Sequence, residues 1–158
     1  MQPFEIRTYA DNRWHATENT TVARQAAALA KRLELIGCSN RFVVSSVAEG
    51  YSLPLVYLAA WRINAAVAPI DCEDRDEELA DVIKRLDAAV VVCEAKDAER
   101  LGRLTPVPVL ASLVVNEACD APPVPFASDA YAHCFFTSGS TGRPKGCLVS
   151  RNALATYA

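Results

Sequence analysis

The sequence predicts an α/β fold, a mostly parallel sheet with helices on both faces, and three observations predict it. Short β-branched runs alternate with stretches whose apolar residues recur at helical spacing. The strand runs are apolar almost throughout rather than at every second residue, as strands buried on both faces are. The last such run feeds directly into a stretch rich in glycine and hydroxyls, and ligand sites in parallel sheets lie at the carboxyl ends of strands.

Taken in order, Val22, Ala26, Leu29, Leu33 and Ile36 form one stripe between Thr20 and Gly37, with Arg24, Lys31, Arg32 and Glu34 on other faces. An amphipathic helix is expected there, with Gly37 as its stop. Phe42 to Ala48 reads as a strand closed by Glu49-Gly50. Ser52 and Pro54 suit the first turn of a second helix carrying Leu55, Leu58, Ala59 and Trp61, after which Ala65 to Ile70 returns as a strand. Leu53 to Ile70 is apolar enough to be scored as a membrane span. Arg62 and Asn64 stand at its centre and Pro54 and Pro69 punctuate its ends, so the expectation is a buried helix followed by a buried strand, with no span.

The acidic stretch Asp71, Glu73, Asp74, Asp76, Glu77, Glu78 lacks the glycine and alternating spacing of a calcium loop, and no metal ligand is assigned to it. It reads as a helix start, where carboxylates meet the positive end of the dipole, with Lys84 and Arg85 near the other end and Leu79, Val82, Ile83 and Leu86 as the buried stripe. Ala88 to Cys93 is a further strand, Lys96 to Leu104 a short helix, and Val107 to Val115 one or two strands interrupted near Ser112. Asn116 to Asp129, with Pro122, Pro123 and Pro125, is a stiff connector to the strand Tyr131 to Phe136. Cys147 to Val149 returns as a short strand, and Asn152 to Ala158 begins a helix.

Composition narrows the class. The chain has 158 residues, of which 51% are hydrophobic and 22% charged, enough for one real core and unlike a disordered tail. A net charge of -3 with no long basic run leaves no electrostatic footprint for nucleic acid. Cysteines 38, 72, 93, 119, 134 and 147 contain no C-x-x-C pair and have only His15 and His133 to assist them, so zinc has little support. Met1 to His15 is broken by Glu5, Arg7, Asp11 and Arg13 and does not read as a secretory leader, so reduced thiols in a cytoplasmic protein are expected. Cys134 and Cys147 bracket the glycine-rich stretch and are read as small hydrophobes.

That stretch, Thr137-Ser138-Gly139-Ser140-Thr141-Gly142-Arg143-Pro144-Lys145-Gly146, carries the functional signal. Gly139, Gly142 and Gly146 let the backbone approach an anion closely. Thr137, Ser138, Ser140 and Thr141 supply rotatable donors, and Arg143 and Lys145 supply charge, with charge-assisted hydrogen bonds of roughly 1.5–3 kcal/mol each. The common nucleoside-triphosphate motif G-x-x-x-x-G-K-[ST] is excluded, because Pro144 stands where its second glycine would be.

The run CFFTSGSTGRPKGCLVS resembles the signature loop of the adenylate-forming ligases, the superfamily of acyl-CoA synthetases, luciferases and nonribosomal-peptide adenylation domains. The resemblance implies that Thr137, Ser138, Gly139, Ser140, Thr141, Gly142 and Lys145 hold the β- and γ-phosphates of ATP while a substrate carboxylate attacks the α-phosphorus. Lys145 is then the catalytic cation. Family members often have a His shortly after the loop, where this chain reads Val149-Ser150-Arg151-Asn152. Upstream, AAWRINAAVAPID resembles the family's glycine-containing turn leading into V-P-L-D-P, with Pro69 and Asp71 matching and Asn64 and Cys72 standing where Gly and Pro are common. The family's early Tyr-x-Glu-Leu pattern is absent around Thr20 to Ala27.

Family members are several times longer, so the resemblance implies that residues 1–158 are the N-terminal subdomain of an adenylation domain, incomplete at the C-terminus. The remainder would come in cis or as a companion chain. The implied substrates are ATP with Mg²⁺, whose protein ligand is expected outside this chain, and a carboxylic acid, amino or aryl acids being favoured over fatty acids. A thiol acceptor follows, either CoA or carrier-protein phosphopantetheine. The competing expectation is a noncatalytic or regulatory module that keeps the fold.

Overall fold

A computed structural model of the chain describes residues 5–10, 13–47, 52–111, 113, 129–137 and 144–156. Three of its helices end in the same way, for a local reason. α1 (Asn19–Leu35), α2 (Ser52–Arg62) and α3 (Asp76–Arg85) are each followed closely by a residue of positive φ: Gly37 at 87°, Asn64 at 56° and Asp87 at 47°. The N–H groups of these residues donate to Glu34, Trp61 and Lys84 carbonyls at 2.9, 3.4 and 3.1 Å. The next N–H in each case, from Cys38, Ala65 and Ala88, reaches back to Leu33, Ala60 and Ile83 at 3.0, 2.9 and 3.3 Å. This double closure satisfies the last carbonyls of a helix and turns the chain sharply. Gly37 is the stop expected from the sequence, and Asn64 keeps the left-handed conformation at the position where the resembled turn has glycine. Short polar side chains tolerate that region better than any but glycine.

Cys38, Ala65 and Ala88 are buried, so each turn delivers the chain straight into the sheet. The strands are β3 (Phe42–Ser45), β4 (Ala66–Pro69), β5 (Val90–Val92), β6 (Val109–Leu110), β7 (Tyr131–Thr137) and β8 (Lys145–Ser150), in the order β6-β5-β3-β4-β7-β8. All neighbouring pairs are parallel except β7 with β8, which is antiparallel. A short 3₁₀ turn (Ala95–Asp97) leads into α4 (Ala98–Leu104), and α5 (Arg151–Thr156) follows β8.

Both faces of the central strands β3, β4 and β5 are covered. Val43, Val67, Val90 and Val92 join Leu29, Leu33, Val56 and Ala59 in one core, while Val44, Ala68 and Val91 join Leu79, Ile83 and Leu101 in the other. Neighbouring residues of one strand point to opposite faces, so a strand with a helix layer on each side must be apolar at every position. The acidic run also serves as expected: Asp76, Glu77 and Glu78 occupy the first turn of α3, and Asp71 Oδ1 accepts from the Glu73 N–H at 2.9 Å.

Three details differ from the sequence reading. The strand expected over Phe42 to Ala48 stops at Ser45, and of the strands expected over Val107 to Val115 the described residues contain β6 alone. Of the connector expected over Asn116 to Asp129, residues 116–128 lie outside the described residues, as do residues 48–51. The sequence reading also passed over an N-terminal hairpin, β1 (Glu5–Ala10) with β2 (Arg13–Glu18), in register from Glu5↔Glu18 to Ala10↔Arg13. Its signal was present in Asp11-Asn12, turn-forming residues between two short runs carrying Ile6, Thr8, Tyr9, Trp14 and Thr17.

Candidate functional site

The glycine- and hydroxyl-rich stretch begins and ends on paired strands. Thr137 is the last residue of β7, Lys145 is the first of β8, and the two are directly opposite each other in the antiparallel register. Directly opposed residues project to the same face, so a hydroxyl and an ammonium stand side by side at the carboxyl end of a strand that runs parallel to β4. Both are exposed, and Thr137 Oγ1 lies 3.5 Å from the Lys145 carbonyl oxygen. Ser138, Gly139, Ser140, Thr141 and Gly142, with Arg143, lie outside the described residues. Lys145 and Gly146, read from sequence as loop, belong to β8.

Beneath this rung the packing is close. A Cβ built on Gly146 would meet the Phe136 ring at 3.2 Å and Cys134 Sγ at 3.4 Å, so the absence of a side chain is what allows Phe136 to lie across β8. A small cavity of about 260 Å³ opens beside Phe136 and Pro144, walled by Ile70 and Leu79, with Asp71 and Glu78 among its polar residues.

β7 is also held from the α2 side. The register shift between Tyr131 and His133 leaves Ala132 without a partner in the β8 ladder, and its carbonyl accepts instead from Trp61 Nε1 at 2.9 Å. The Tyr57 hydroxyl and His133 Nδ1 share a hydrogen bond, with their rings stacked at 5.6 Å. Trp61 meets Tyr57 edge-on at 5.4 Å and Phe135 meets His133 at 5.6 Å, completing an aromatic cluster. Burial pushes the Tyr57 hydroxyl up to about 12 and the His133 imidazole below its ordinary 6.5, so both are neutral near pH 7.

Arg151, in the segment where the resembled family carries histidine, is 5% exposed. Its guanidinium donates to the Trp61 carbonyl and its N–H to the Ala130 carbonyl at 2.9 Å, so it joins α5 to the end of α2 rather than standing beside the loop. The described cysteines are free thiols, and burial pushes Cys38 and Cys93 up to about 11 and Cys72 and Cys134 upward, which keeps these four protonated.

A larger cavity of about 830 Å³, which sequence reasoning did not find, lies at the carboxyl ends of β3, β4 and β5, lined by residues including Ser45, Ser46, Glu94, Lys96 and Arg100. Arg100 is already committed to its wall, donating to Asp76 at 2.8 Å and to the Asp74 carbonyl at 2.9 Å.

A sequence model described as AMP-binding enzyme matches residues 8–158 of this mostly parallel fold. The chain belongs to the AMP-binding enzyme family. It is 34% identical over 113 residues to the nonribosomal peptide synthetase fmqA of Aspergillus fumigatus, a match covering 64% of this chain and 3% of that protein. Among solved structures, ATP-bound MatB from Rhodopseudomonas palustris superposes with a TM-score of 0.81 at 20% identity, over 90% of this chain and 31% of that one. The fatty acyl-adenylate ligase from L. pneumophila, solved with acyl adenylate and pyrophosphate, gives 0.80 at 21% identity, over 97% of this chain and 28% of that one. The chain thus spans only a small part of the AMP-binding relatives it matches. Among its described residues, no helix is long and apolar enough to cross a membrane.

Proposed function

We propose that residues 1–158 form the N-terminal subdomain of an adenylation domain and supply the phosphate loop of an ATP-dependent, cytoplasmic acid–thiol ligase. One observation carries the reading: Thr137 and Lys145 share the last rung of β7 and β8, so both ends of the hydroxyl- and glycine-rich stretch are gathered at one point at the carboxyl end of a parallel strand. Ser138, Gly139, Ser140, Thr141 and Gly142 complete the loop in this reading.

In the reaction a carboxylate oxygen attacks the α-phosphorus of ATP, the bond from that phosphorus to the β-bridging oxygen breaks, and pyrophosphate leaves with the electron pair. Lys145 and the loop hydroxyls offset the charge that gathers on the departing oxygens, the role positioned cations and donors play in phosphoryl transfer. The stem fits a polyphosphate, since its described polar groups are an exposed ammonium and an exposed hydroxyl on one face. Mg²⁺ would neutralise further charge, with its protein ligand outside these residues. Resemblance to nonribosomal peptide synthetases supports an amino or aryl acid over a fatty acid, with transfer to carrier-protein phosphopantetheine or CoA.

The test is acid-dependent ATP–pyrophosphate exchange in the whole protein that carries this chain. Lys145→Ala and Gly142→Val are each expected to slow exchange by about 2–4 kcal/mol of barrier, as loss of one preorganised donor does. Wild-type exchange in both variants would remove the loop from the mechanism.

A further inference from the structure

Arg85 lies in the last turn of α3, where its charge reads first as a complement to the helix C-terminus. Its contacts go much further along the chain. Nη1 donates to the Pro144 carbonyl at 2.9 Å, and the guanidinium lies 5.7 Å from the centroid of the Phe136 ring. The same nitrogen is 3.3 Å from Asp81 Oδ2, one turn earlier on α3, which steadies the side chain. Phe136 immediately precedes Thr137, and Pro144 immediately precedes Lys145. One guanidinium therefore touches both stems of the stretch, at Phe136 one residue before the rung where they pair and at Pro144 one residue to its loop side.

We propose that Arg85 is a positioning residue for the phosphate loop, bracing both of its stems against α3. The β7–β8 ladder fixes Thr137 relative to Lys145, but β8 is the outermost strand and pairs, among the described strands, only with β7. A hairpin end so placed can swing as a unit against the sheet, and a ladder alone does not stop it. Arg85 stops it by ordinary chemistry: a charged donor on a carbonyl, and a planar cation over a ring that itself lies across Gly146. Its side chain is 41% exposed, so the contacts are screened and add little to global stability. Their effect is on where the stems stand.

This proposal rests on the phosphate-loop reading, and two measurements separate their fates. Hydrogen exchange of the whole protein without nucleotide is expected to quicken across Phe136–Thr137 and Lys145–Gly146 in Arg85→Ala, and to return toward wild type in Arg85→Lys, which can still reach Pro144. Unchanged exchange in Arg85→Ala overturns the brace whatever the loop binds. In pyrophosphate exchange, Arg85→Ala should raise the KM for ATP roughly tenfold, the scale of one lost charge-assisted hydrogen bond, with the KM for the acid unchanged. A wild-type KM for ATP beside an impaired Lys145→Ala also overturns it, as does an equal rise in both KM values. If Lys145→Ala is itself unimpaired while the stems of Arg85→Ala loosen, the phosphate reading fails and the brace stands as structure alone.

Discussion

Thr137 and Lys145 are partners across the final rung of β7 and β8, and nothing about their spacing in the chain alone requires it. One rung below, Gly146 faces Phe136 without a side chain, which leaves room for the ring to lie across β8. The stem is therefore a packed object, with Phe136 across Gly146 and Arg85 over the Phe136 ring and on the Pro144 carbonyl.

Gly146→Val is expected to drive branched methyl groups into the Phe136 ring, with a loss of about 1–3 kcal/mol in stability, the usual scale of overpacking. Phe136→Leu in the same chain makes room and should recover part of that loss. Thermal unfolding of the two single variants and the double variant checks the coupling; additive losses would mean that the two residues do not share the site.

The Tyr57–His133 pair predicts a particular pH dependence. His133 has a folded value below its unfolded 6.5, so the unfolded chain binds more protons than the folded one as pH falls through that value. Stability from this group is complete above pH 6.5 and is lost progressively on acidification toward the folded value. Tyr57, raised from 10 to about 12, acts oppositely, and its contribution fades as pH rises from 10 toward 12. Proton NMR titration of the His133 ring should give a midpoint below 6.5, and Tyr57→Phe should reduce the alkaline slope in denaturant unfolding between pH 10 and 12, leaving the share of Cys38 and Cys93. The neighbours of the pair, Trp61, Phe135, Val67 and the cross-strand Val149, carry no ionisable group near neutral pH, so burial is the governing cause.

Asn64 holds φ of 56° at the end of α2. Asn64→Gly should leave stability within a few tenths of a kcal/mol or raise it, whereas Asn64→Val should cost about 1–2 kcal/mol, the penalty for a branched side chain in the left-handed region. Midpoints of denaturant unfolding decide it. A Val variant as stable as the wild type would mean that the turn rearranges without penalty.

Much of this molecule was legible because the signal is local. Val22, Ala26, Leu29 and Leu33 recur at the period of a helix, Ala88 to Cys93 is apolar throughout, and the hydroxyls and glycines after Phe136 announce their chemistry wherever they are placed. Strand bounds were less legible, as at Ser45, because a ladder ends where its neighbour ends. The support of the loop could not be read at all: Arg85 reaches Pro144, Trp61 reaches Ala132, Tyr57 meets His133 and Arg151 meets Trp61 across 59 to 90 residues. Each of these contacts exists because the sheet sets β7 beside β4, with α2 on one face and α3 on the other. Residue chemistry and periodicity are written along the chain, while neighbours in a sheet are chosen by global packing, and only the folded arrangement brings such distant side chains within hydrogen-bonding reach.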